Sequence, residues 1–447
     1  MSRSTADRQA AARALLRFLE RPGRLDRWLE EESQGLNSDQ RRRARALLYA
    51  ALRNDALIGL HLAPFLPQPL ERQRAAPRAA LILGTTELLF MNSVPDRAAV
   101  DQAVELCRVL GGGGQAGFVN AVLRRVIRSG GPSLPDRETD PLGWAEKACS
   151  HPRWLVELMA EGAEPSEVAD WCEANQVEPS TVLAVPNPEH RAQLLAELDA
   201  SPGLLSPWAL RLPRGAGRIE KLRGFNEGWF WVQDEAAQLA VALLGARPGE
   251  RVLDACAAPG GKTLALAHAV GCEGSVLATD RDRKRLRLVD ESVARVGATC
   301  VEVQQRDWIR EPFGAREDDI PFDRVLIDAP CSGLGVIRRH PEIRSARRQT
   351  DLPRYAQRQG ELLTGLAAAT KPGGLLVYAV CTFSATETHE VVGAALAHES
   401  LTGFELESVQ ESLPELPNAS IRGGAIRTLP HQSGSDGFYA VALRRRF

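Results

Sequence analysis

Two cysteines, Cys331 and Cys381, each follow the end of an apolar run and stand beside small polar residues, in the sequences DAPCSG and YAVCTF. A cysteine within an apolar run is usually a core residue, which is the expectation for Cys107, Cys172 and Cys300. Because a thiolate is the natural nucleophile toward a poorly reactive pyrimidine carbon, the first two thiols indicate covalent catalysis. Attack on C6 of a cytosine would make C5 nucleophilic, so that C5 could take a methyl group from a sulfonium donor. This chemistry alone does not decide which of the two thiols attacks.

A carboxyl group stands close to this pair in the chain. Asp328 lies just before Cys331 and could protonate or hydrogen-bond the ring nitrogen as electron density moves there. A base must later remove the proton on C5 so that the thiol can leave. We therefore predict that Asp328, Cys331 and Cys381 are catalytic.

The sequence VLDACAAPGGKT is typical of a strand, a glycine-rich loop and the start of a helix. This geometry brings main-chain N–H groups and a helix N-terminus against a ligand. Asp280 lies 20 residues beyond Gly260, at the end of the next apolar run, where an acid holds the ribose of nucleoside-type cofactors. A helix N-cap is the alternative role for Asp280. The pattern favours a cofactor that displays its ribose.

The same turn partly matches the P-loop of nucleotide hydrolases. Lys262 and Thr263 fit that pattern, and Asp328 could serve as its magnesium-holding acid. The pattern also requires a glycine at the position where Cys256 stands. A P-loop hydrolase is therefore the alternative to an enzyme that binds a ribose-bearing cofactor.

From residue 251 onward, short apolar runs alternate with helical stretches, at 281–296 and 354–370 among others. This alternation is typical of a parallel sheet covered by helices on both faces. In such folds the ligand site lies outside the carboxyl ends of the strands, where the residues discussed above stand. We predict a C-terminal Rossmann-like doubly wound α/β domain whose strands include residues 252–255, 275–279, 301–304, 324–327 and 375–380.

The first 147 residues carry 22 basic and 17 acidic groups, and their apolar residues recur at helical spacing without an alternating strand pattern. They predict an all-α N-terminal domain that ends in a linker rich in Pro, Gly and charged residues. The next segment, to about residue 240, predicts a small α/β linker subdomain whose topology does not follow from the pattern. We divide the chain into residues 1–140, 141–240 and 241–447. The predicted helices of the first domain include residues 12–19, 44–52, 79–90, 98–110 and 118–127.

The composition, 44% hydrophobic and 25% charged in 447 residues, is that of an ordinary soluble multidomain protein. No apolar run approaches the roughly 20 residues that cross a bilayer. The eight cysteines show neither zinc-ligand nor disulfide-framework spacing. We therefore predict a cytoplasmic protein, a monomer, without a membrane segment or a metal site. The net charge of −2 excludes a surface that is basic throughout.

Local charge nevertheless indicates an RNA-binding surface. Residues 338–358 contain seven arginines and only two acidic residues, beginning just after the DAPCSG sequence. Arginine contacts phosphate through two parallel hydrogen bonds, and chemistry on a base requires the base to be unstacked beside the catalytic groups. A solvated helix face is the alternative. The predicted RNA contacts are Arg338, Arg339, Arg344, Arg347 and Arg348.

In their order along the chain, these segments resemble the bacterial RNA cytosine-5 methyltransferases of the RsmB type, also called Sun or Fmu, which modify 16S ribosomal RNA. The N-terminal sequences VPDRAAVDQAVELCRVLG and FVNAVLRRVIR resemble the NusB-like RNA-binding domain of that family. The resemblance covers nearly the whole chain. In the catalytic part, the sequences that resemble the family are GFNEGWFWVQDEAAQLA, LDACAAPGGKT, IDAPCSGLGVIRRHPEIR, YAVCTF and SGSDGFYAVALRR.

The resemblance implies S-adenosylmethionine as the cofactor and assigns roles to single residues. Asp280 would hold the ribose and Asp307 would lie by the adenine amine. Asp328 would face the reactive centre and so belong to the cofactor site as well. Cys381 would be the nucleophile and Cys331 would assist product release. The loop that lines the cofactor would consist of Cys256, Ala257, Ala258, Pro259, Gly260, Gly261 and Lys262.

The chain departs from the family pattern beside the nucleophile, where the usual Thr-Cys-Ser is Val380-Cys381-Thr382. The missing hydroxyl of Val380 removes a hydrogen bond near the thiol or the substrate. The implied partner is small-subunit ribosomal RNA. The alternatives are the same reaction on tRNA or large-subunit rRNA, because RNA shape selects the target, and a non-catalytic RNA-binding factor that keeps the fold.

Overall fold

The computed structural model describes residues 5–447 with the exception of residues 24, 92, 93, 214 and 318. The chain forms two compact units. The first consists of residues 1–177 and 337–349, and the second of residues 178–336 and 350–447.

The α-helices extend from the N-terminal region to residue 433. In chain order they are α1 (Ala6–Glu20), α2 (Leu25–Glu32), α3 (Ser38–Arg53), α4 (Asp55–Leu62), α5 (Ala75–Phe90), α6 (Asp96–Val109), α7 (Ala116–Arg128), α8 (Pro141–Lys147), α9 (Arg153–Ala160), α10 (Pro165–Gln176), α11 (Pro188–Glu197), α12 (Glu235–Leu244), α13 (Gly261–Val270), α14 (Arg283–Val296), α15 (Ile343–Ala346), α16 (Leu352–Leu366), α17 (His389–Leu396), α18 (Val409–Ser412) and α19 (Pro430–Ser433).

The β-strands lie between residues 182 and 445. They are β1 (Val182–Ala184), β2 (Ser201–Pro202), β3 (Ala209–Arg211), β4 (Trp231–Val232), β5 (Arg251–Asp254), β6 (Ser275–Asp280), β7 (Val301–Gln305), β8 (Phe322–Asp328), β9 (Thr370–Val380), β10 (Phe404–Leu406), β11 (Ile421–Arg422), β12 (Ala425–Thr428) and β13 (Phe438–Arg445).

The first unit is helical, and the prediction of an all-α N-terminal domain is confirmed. Helix α5 is buried on both sides: Ala79 and Leu83 pack with α1 to α3, whereas Ala80 and Leu81 pack with α4, α6 and α7. A helix that is apolar all round can be stabilised only in this central position. The five helices predicted from apolar spacing correspond to α1, α3, α5, α6 and α7, and within residues 1–140 helices α2 and α4 were missed.

The segment for which no topology could be predicted forms a small antiparallel sheet with the strand order β2-β3-β1-β4. Its core contains Leu183, Leu210 and Phe230. Helix α12 follows this sheet, capped by the Asp234 side chain, which accepts a hydrogen bond from the main-chain N–H of Ala236. Helices α8 to α10, within the predicted linker, belong to the first compact unit, and the mixture of helix and strand is confined to the part of the linker after residue 177.

The large sheet has the strand order β11-β12-β13-β9-β8-β5-β6-β7, and β10 pairs with β13. Strands β5 to β9 are parallel and correspond to the five predicted runs. Along β9, Leu375 and Val377 face one buried cluster while Leu376 and Tyr378 face the other, so both faces of the sheet are covered. The doubly wound α/β domain is therefore confirmed. The sheet is mixed rather than wholly parallel, because β13 pairs antiparallel with β9.

Within the described ranges, no helix is long and apolar enough to span a membrane. The same part of the chain holds no group of three or more His, Cys, Asp or Glu side chains that could bind a metal ion.

Candidate active site

The two thiols singled out by the sequence lie together at the carboxyl ends of neighbouring parallel strands. Cys331 follows β8 and Cys381 follows β9, and the last residue of β8, Asp328, is in register with Ala379 of β9. The Sγ atoms of the two cysteines are 3.2 Å apart. One thiol can therefore donate a hydrogen bond to the other.

The surroundings of Cys331 favour its protonated form. Its hydrogen bond with Cys381, together with burial and the charge of Glu387, raises the pKa of the Cys331 thiol well above its ordinary value. A negative charge on Cys381 or on Glu387 would repel a thiolate at Cys331. Cys331 therefore stays a thiol at neutral pH and can act as a hydrogen-bond donor toward Cys381.

An ion pair joins the glycine-rich turn to the acid near the thiols. The Nζ atom of Lys262 lies 2.7 Å from Oδ2 of Asp328. Burial alone would lower the pKa of Lys262, but the charge and the hydrogen bond of Asp328 outweigh burial and raise that pKa. The sequence placed Lys262 only in the cofactor loop. Its contact with Asp328 depends on tertiary structure, and the sequence offered no signal for it beyond the position of Lys262 in the first turn of α13.

The glycine-rich turn connects β5 to α13. Gly260 precedes the helix with φ of 111°, and a Cβ atom there would lie 3.3 Å from Cα of Val289. Thr263 donates a hydrogen bond of 2.7 Å to Oδ2 of Asp254, whereas Oδ1 of Asp254 is buried without a hydrogen-bond partner. Burial raises the pKa of Asp254 to about 7. The main chain of the turn thus packs closely against α14, and Oδ1 of Asp254 is a buried acceptor without a hydrogen-bond partner.

The remaining residues of this loop, 256–259, lie between β5 and the turn. Ala257 donates its main-chain N–H to Thr279, and the carbonyl of Ala258 accepts a hydrogen bond from Arg285. Cys256 is half-buried and Pro259 is exposed. These main-chain contacts fix the loop against β6 and α14.

Asp280 is the last residue of β6 and Asp307 lies two residues after β7, at the same edge of the sheet. Oδ1 of Asp280 accepts the main-chain N–H of Asp282, and Oδ2 lies 3.5 Å from Arg285. The N-cap of α14 is Asp282, so the N-cap role considered for Asp280 belongs to its neighbour. Asp307 accepts the main-chain N–H of Ile309 at 3.2 Å. Both acids therefore stand where a ligand at the strand ends could reach them.

Three loops meet through main-chain hydrogen bonds behind the thiols. The N–H of Gly335 donates to the carbonyl of Cys381 at 3.0 Å, and the N–H of Gly437 donates to the carbonyl of Gly335 at 2.8 Å. A Cβ atom on Gly335 would lie 1.9 Å from the carbonyl oxygen of Gly437, closer than any real contact. The sequence motifs that contain these two glycines resemble the family. No local pattern in either motif predicts that the main chains at Gly335 and Gly437 contact each other.

We therefore expect Gly335→Ala to shift the Cys381 loop. Overpacking of this kind costs about 1–3 kcal/mol of unfolding free energy, and a misplacement of about 1 Å at a reacting group lowers turnover about 100-fold. Methyl incorporation into RNA and urea denaturation measure the two effects. Gly360→Ala in α16 is the matched control, since no atom lies within 4 Å of its added Cβ. A Gly335→Ala protein with unchanged turnover would show that the close contact between Gly335 and Gly437 does not position the Cys381 thiol.

Val380 lies in the apolar core beside Tyr378 and Val441. Where the family has a threonine hydroxyl, this chain therefore has a buried methyl group in contact with apolar side chains.

The arginines predicted to contact RNA belong to the first compact unit. Arg348 is exposed, and Arg339 and Arg347 are half-buried. Arg344 and Arg338 are buried, at 2% and 6% exposure. The guanidinium of Arg344 donates to the main-chain carbonyls of Leu52, Arg53, Cys149 and Ser150. The prediction that Arg344 and Arg338 contact RNA is corrected, because buried side chains cannot reach a phosphate.

Arg344 instead stabilises the first unit. We expect Arg344→Ala to lower the free energy of unfolding by about 3 kcal/mol, because buried carbonyls lose a charged hydrogen-bond donor. We expect Arg344→Lys to restore little of this loss, since an ammonium lacks the planar fork of donors. Urea denaturation measures both, with the largely exposed Arg97→Ala as the control. Equal midpoints for all three variants would contradict this role.

Comparisons with known proteins agree with this geometry. The family model for 16S rRNA methyltransferase RsmB/F matches residues 241–444, and the NusB family model matches residues 5–128. The chain is 35% identical to the ribosomal RNA small subunit methyltransferase B of Pseudomonas putida, over 98% of both chains. It is 33% identical to the probable ribosomal RNA small subunit methyltransferase B of Bacillus subtilis, over 94% of this chain and 92% of that protein.

A solved structure shares the fold. The crystal structure of PH0851 superposes with a TM-score of 0.78 at 24% identity, over 99% of both chains. With both sequence relatives matched over almost their whole length, the chain belongs to the RsmB/F family of 16S rRNA methyltransferases, with a NusB-family domain at its N-terminus.

Proposed function

We propose that this protein transfers a methyl group from S-adenosylmethionine to C5 of a cytosine in 16S rRNA, through a covalent bond between Cys381 and C6. The observation that carries the proposal is the thiol pair, with Sγ atoms 3.2 Å apart, at the strand ends that also hold Asp328. A covalent mechanism needs a nucleophile and, close to it, a proton-carrying group that stabilises the sulfur when it leaves, and two adjacent thiols supply both.

The residues at the strand ends fit S-adenosylmethionine, which supplies an electrophilic methyl group on a sulfonium centre. Gly260 forms the left-handed turn before α13, whose first N–H groups can donate to the cofactor, and the unpartnered Oδ1 of Asp254 can accept a hydrogen bond from the amino group of the methionine part. Asp280 would hold the ribose and Asp307 the adenine amine. The P-loop alternative lacks support, because Cys256 stands where that loop requires glycine.

In the proposed reaction, the Cys381 thiolate attacks C6, and the electron pair of the C5–C6 double bond moves toward the ring nitrogen. The Lys262 and Asp328 pair offers a hydrogen-bond donor and an acceptor to the ring edge that receives this charge. C5 then forms its bond to the methyl carbon as the methyl–sulfur bond of the sulfonium donor breaks, and the electron pair of that bond stays on the sulfur of the departing S-adenosylhomocysteine. A base, for which bulk water suffices, takes the C5 proton, and the electron pair of the C5–H bond restores the C5–C6 double bond as the C6–S bond breaks. The Cys381 sulfur leaves as a thiolate, to which the Cys331 thiol donates a hydrogen bond.

RNA binding is proposed for the first unit. The NusB-family match over residues 5–128 supports it, as do the exposed Arg348 and the half-buried Arg339 and Arg347. We also propose the domain division predicted from the sequence, with a NusB-like domain at 1–140, a linker subdomain at 141–240 and the methyltransferase domain at 241–447. Residues 141–177 of the linker subdomain belong to the same compact unit as the NusB-like domain.

Bisulfite sequencing of total RNA tests the substrate. In a strain that lacks the gene, we expect one 16S rRNA cytosine to lose its protection from bisulfite conversion, and the wild-type gene to restore it. Loss of protection only in tRNA or 23S rRNA would contradict the proposed substrate, and no change in any RNA would contradict the proposed activity.

A further inference from the structure

A buried carboxylate lies between the two loops that carry the thiols. The main-chain N–H of Ser332 donates to Oε1 of Glu387 at 2.8 Å, and the hydroxyl of Thr382 lies 3.4 Å from Oε2. Ser332 directly follows Cys331, and Thr382 directly follows Cys381. Glu387 is 0% exposed. A single side chain therefore contacts the residue next to each thiol.

Further hydrogen bonds close this arrangement. The hydroxyls of Ser332 and Thr382 are 3.0 Å apart. Gln359 of α16 donates from Nε2 to Oε1 of Glu387 at 3.1 Å and to the carbonyl of Pro330 at 3.0 Å. The Tyr378 hydroxyl donates to the main-chain carbonyl of Glu387 at 2.7 Å. Gln359 of α16 and Thr382 thus hold the carboxylate of Glu387, and Tyr378 holds its main chain.

A carboxylate is costly to bury, and burial raises the pKa of Glu387 above its ordinary value. The groups that contact the carboxylate all donate to it, namely the Ser332 N–H, the Gln359 amide and the Thr382 hydroxyl, so the site requires an acceptor. The contacts of Glu387 concentrate on the two thiol loops rather than on the core. This points to a role in placing the thiols.

We propose that Glu387 is a positioning residue that keeps the thiols of Cys331 and Cys381 next to each other by linking Ser332 to Thr382. The inference rests on the proposed function, in which both thiols act on one cytosine. Glu387 acts through these two loops and does not itself contact the substrate.

Substitution of Glu387 in the full-length protein tests the proposal. Glu387→Ala removes the link, and we expect kcat for methylation of 16S rRNA to fall about 100-fold, with KM for S-adenosylmethionine unchanged. Glu387→Gln keeps an acceptor for Ser332 and a donor for Thr382, and we expect it to restore kcat to within about tenfold of wild type. Glu235→Gln, at a fully buried glutamate on α12, is the matched control. Wild-type kcat in Glu387→Ala, or a change in KM alone, would overturn the proposal.

A second measurement needs no RNA and separates this inference from the proposed reaction. Diamide oxidises two adjacent thiols to a disulfide, and mass spectrometry of the digested protein reports the Cys331–Cys381 link. We expect the link to form quickly in the wild type and at least about tenfold more slowly in Glu387→Ala. Thr382→Val removes the hydrogen bond between residue 382 and Glu387 at nearly constant side-chain volume, and it should slow disulfide formation as well. This variant replaces Glu387→Ala in the test if Glu387→Ala does not fold. Equal rates in all variants would refute the positioning role, whether or not the protein methylates cytosine.

Discussion

Cys381→Ala is expected to abolish both methyl transfer and covalent trapping on RNA that contains 5-fluorocytosine. Fluorine at C5 cannot leave as a proton does, so the bond between the attacking sulfur and C6 persists after methylation and the complex survives denaturing electrophoresis. Without the sulfur, C5 is not activated, and the loss of a covalent nucleophile lowers turnover on the order of 10⁴-fold or more.

Cys272→Ala is the matched control for this substitution, because Cys272 is exposed and lies outside the thiol pair. We expect it to methylate and to be trapped at the wild-type level. Trapping that persists in Cys381→Ala would assign the nucleophile to another residue, with Cys331 the first to consider.

Cys331→Ala is expected to have the opposite effect on the covalent complex, which should accumulate on ordinary cytosine RNA. The Cys331 thiol lies 3.2 Å from the Cys381 sulfur, and its raised pKa keeps it protonated, so it can stabilise the sulfur as the C6–S bond breaks. Loss of such a proton-carrying group slows a step by about 10²- to 10⁴-fold. Attack on C6 does not need this group and should continue.

Denaturing electrophoresis with labelled RNA measures the stalled complex of Cys331→Ala over time. Cys331→Ser keeps a hydrogen-bond donor and should release product faster than the alanine variant. If Cys331→Ala yields only free enzyme and product at the wild-type rate, Cys331 has no part in release.

The sequence predicted the central part of the large sheet because buried parallel strands are continuous apolar runs, as in β8 and β9. Their carboxyl ends meet at one edge, which is why Asp328, Cys331 and Cys381 could be grouped from the sequence. Strand β13 was not predicted as part of the sheet. Its pairing with β9 joins residues far apart in the chain, and no local pattern determines such a pairing.

The positions of single side chains were harder to predict. A run of arginines indicates charge but does not separate Arg348, which is exposed, from Arg344, which is buried among carbonyls. The contacts of Lys262 with Asp328 and of Glu387 with Ser332 each join residues more than 50 positions apart. Only tertiary packing brings such groups together, so neither the ion pair nor the link between the thiol loops could follow from spacing.

Tandem mass spectrometry of the trapped complex tests the proposed mechanism most directly. The full-length protein is incubated with S-adenosylmethionine and 16S rRNA that contains 5-fluorocytosine, and the complex is digested with nuclease and protease. We predict a peptide that carries a 5-fluoro-5-methylcytidine derivative on Cys381 and on no other cysteine. A nucleotide on Cys331, an adduct without the methyl group, or 5-methylcytosine formed on normal RNA with no adduct on the fluorinated RNA would contradict the mechanism.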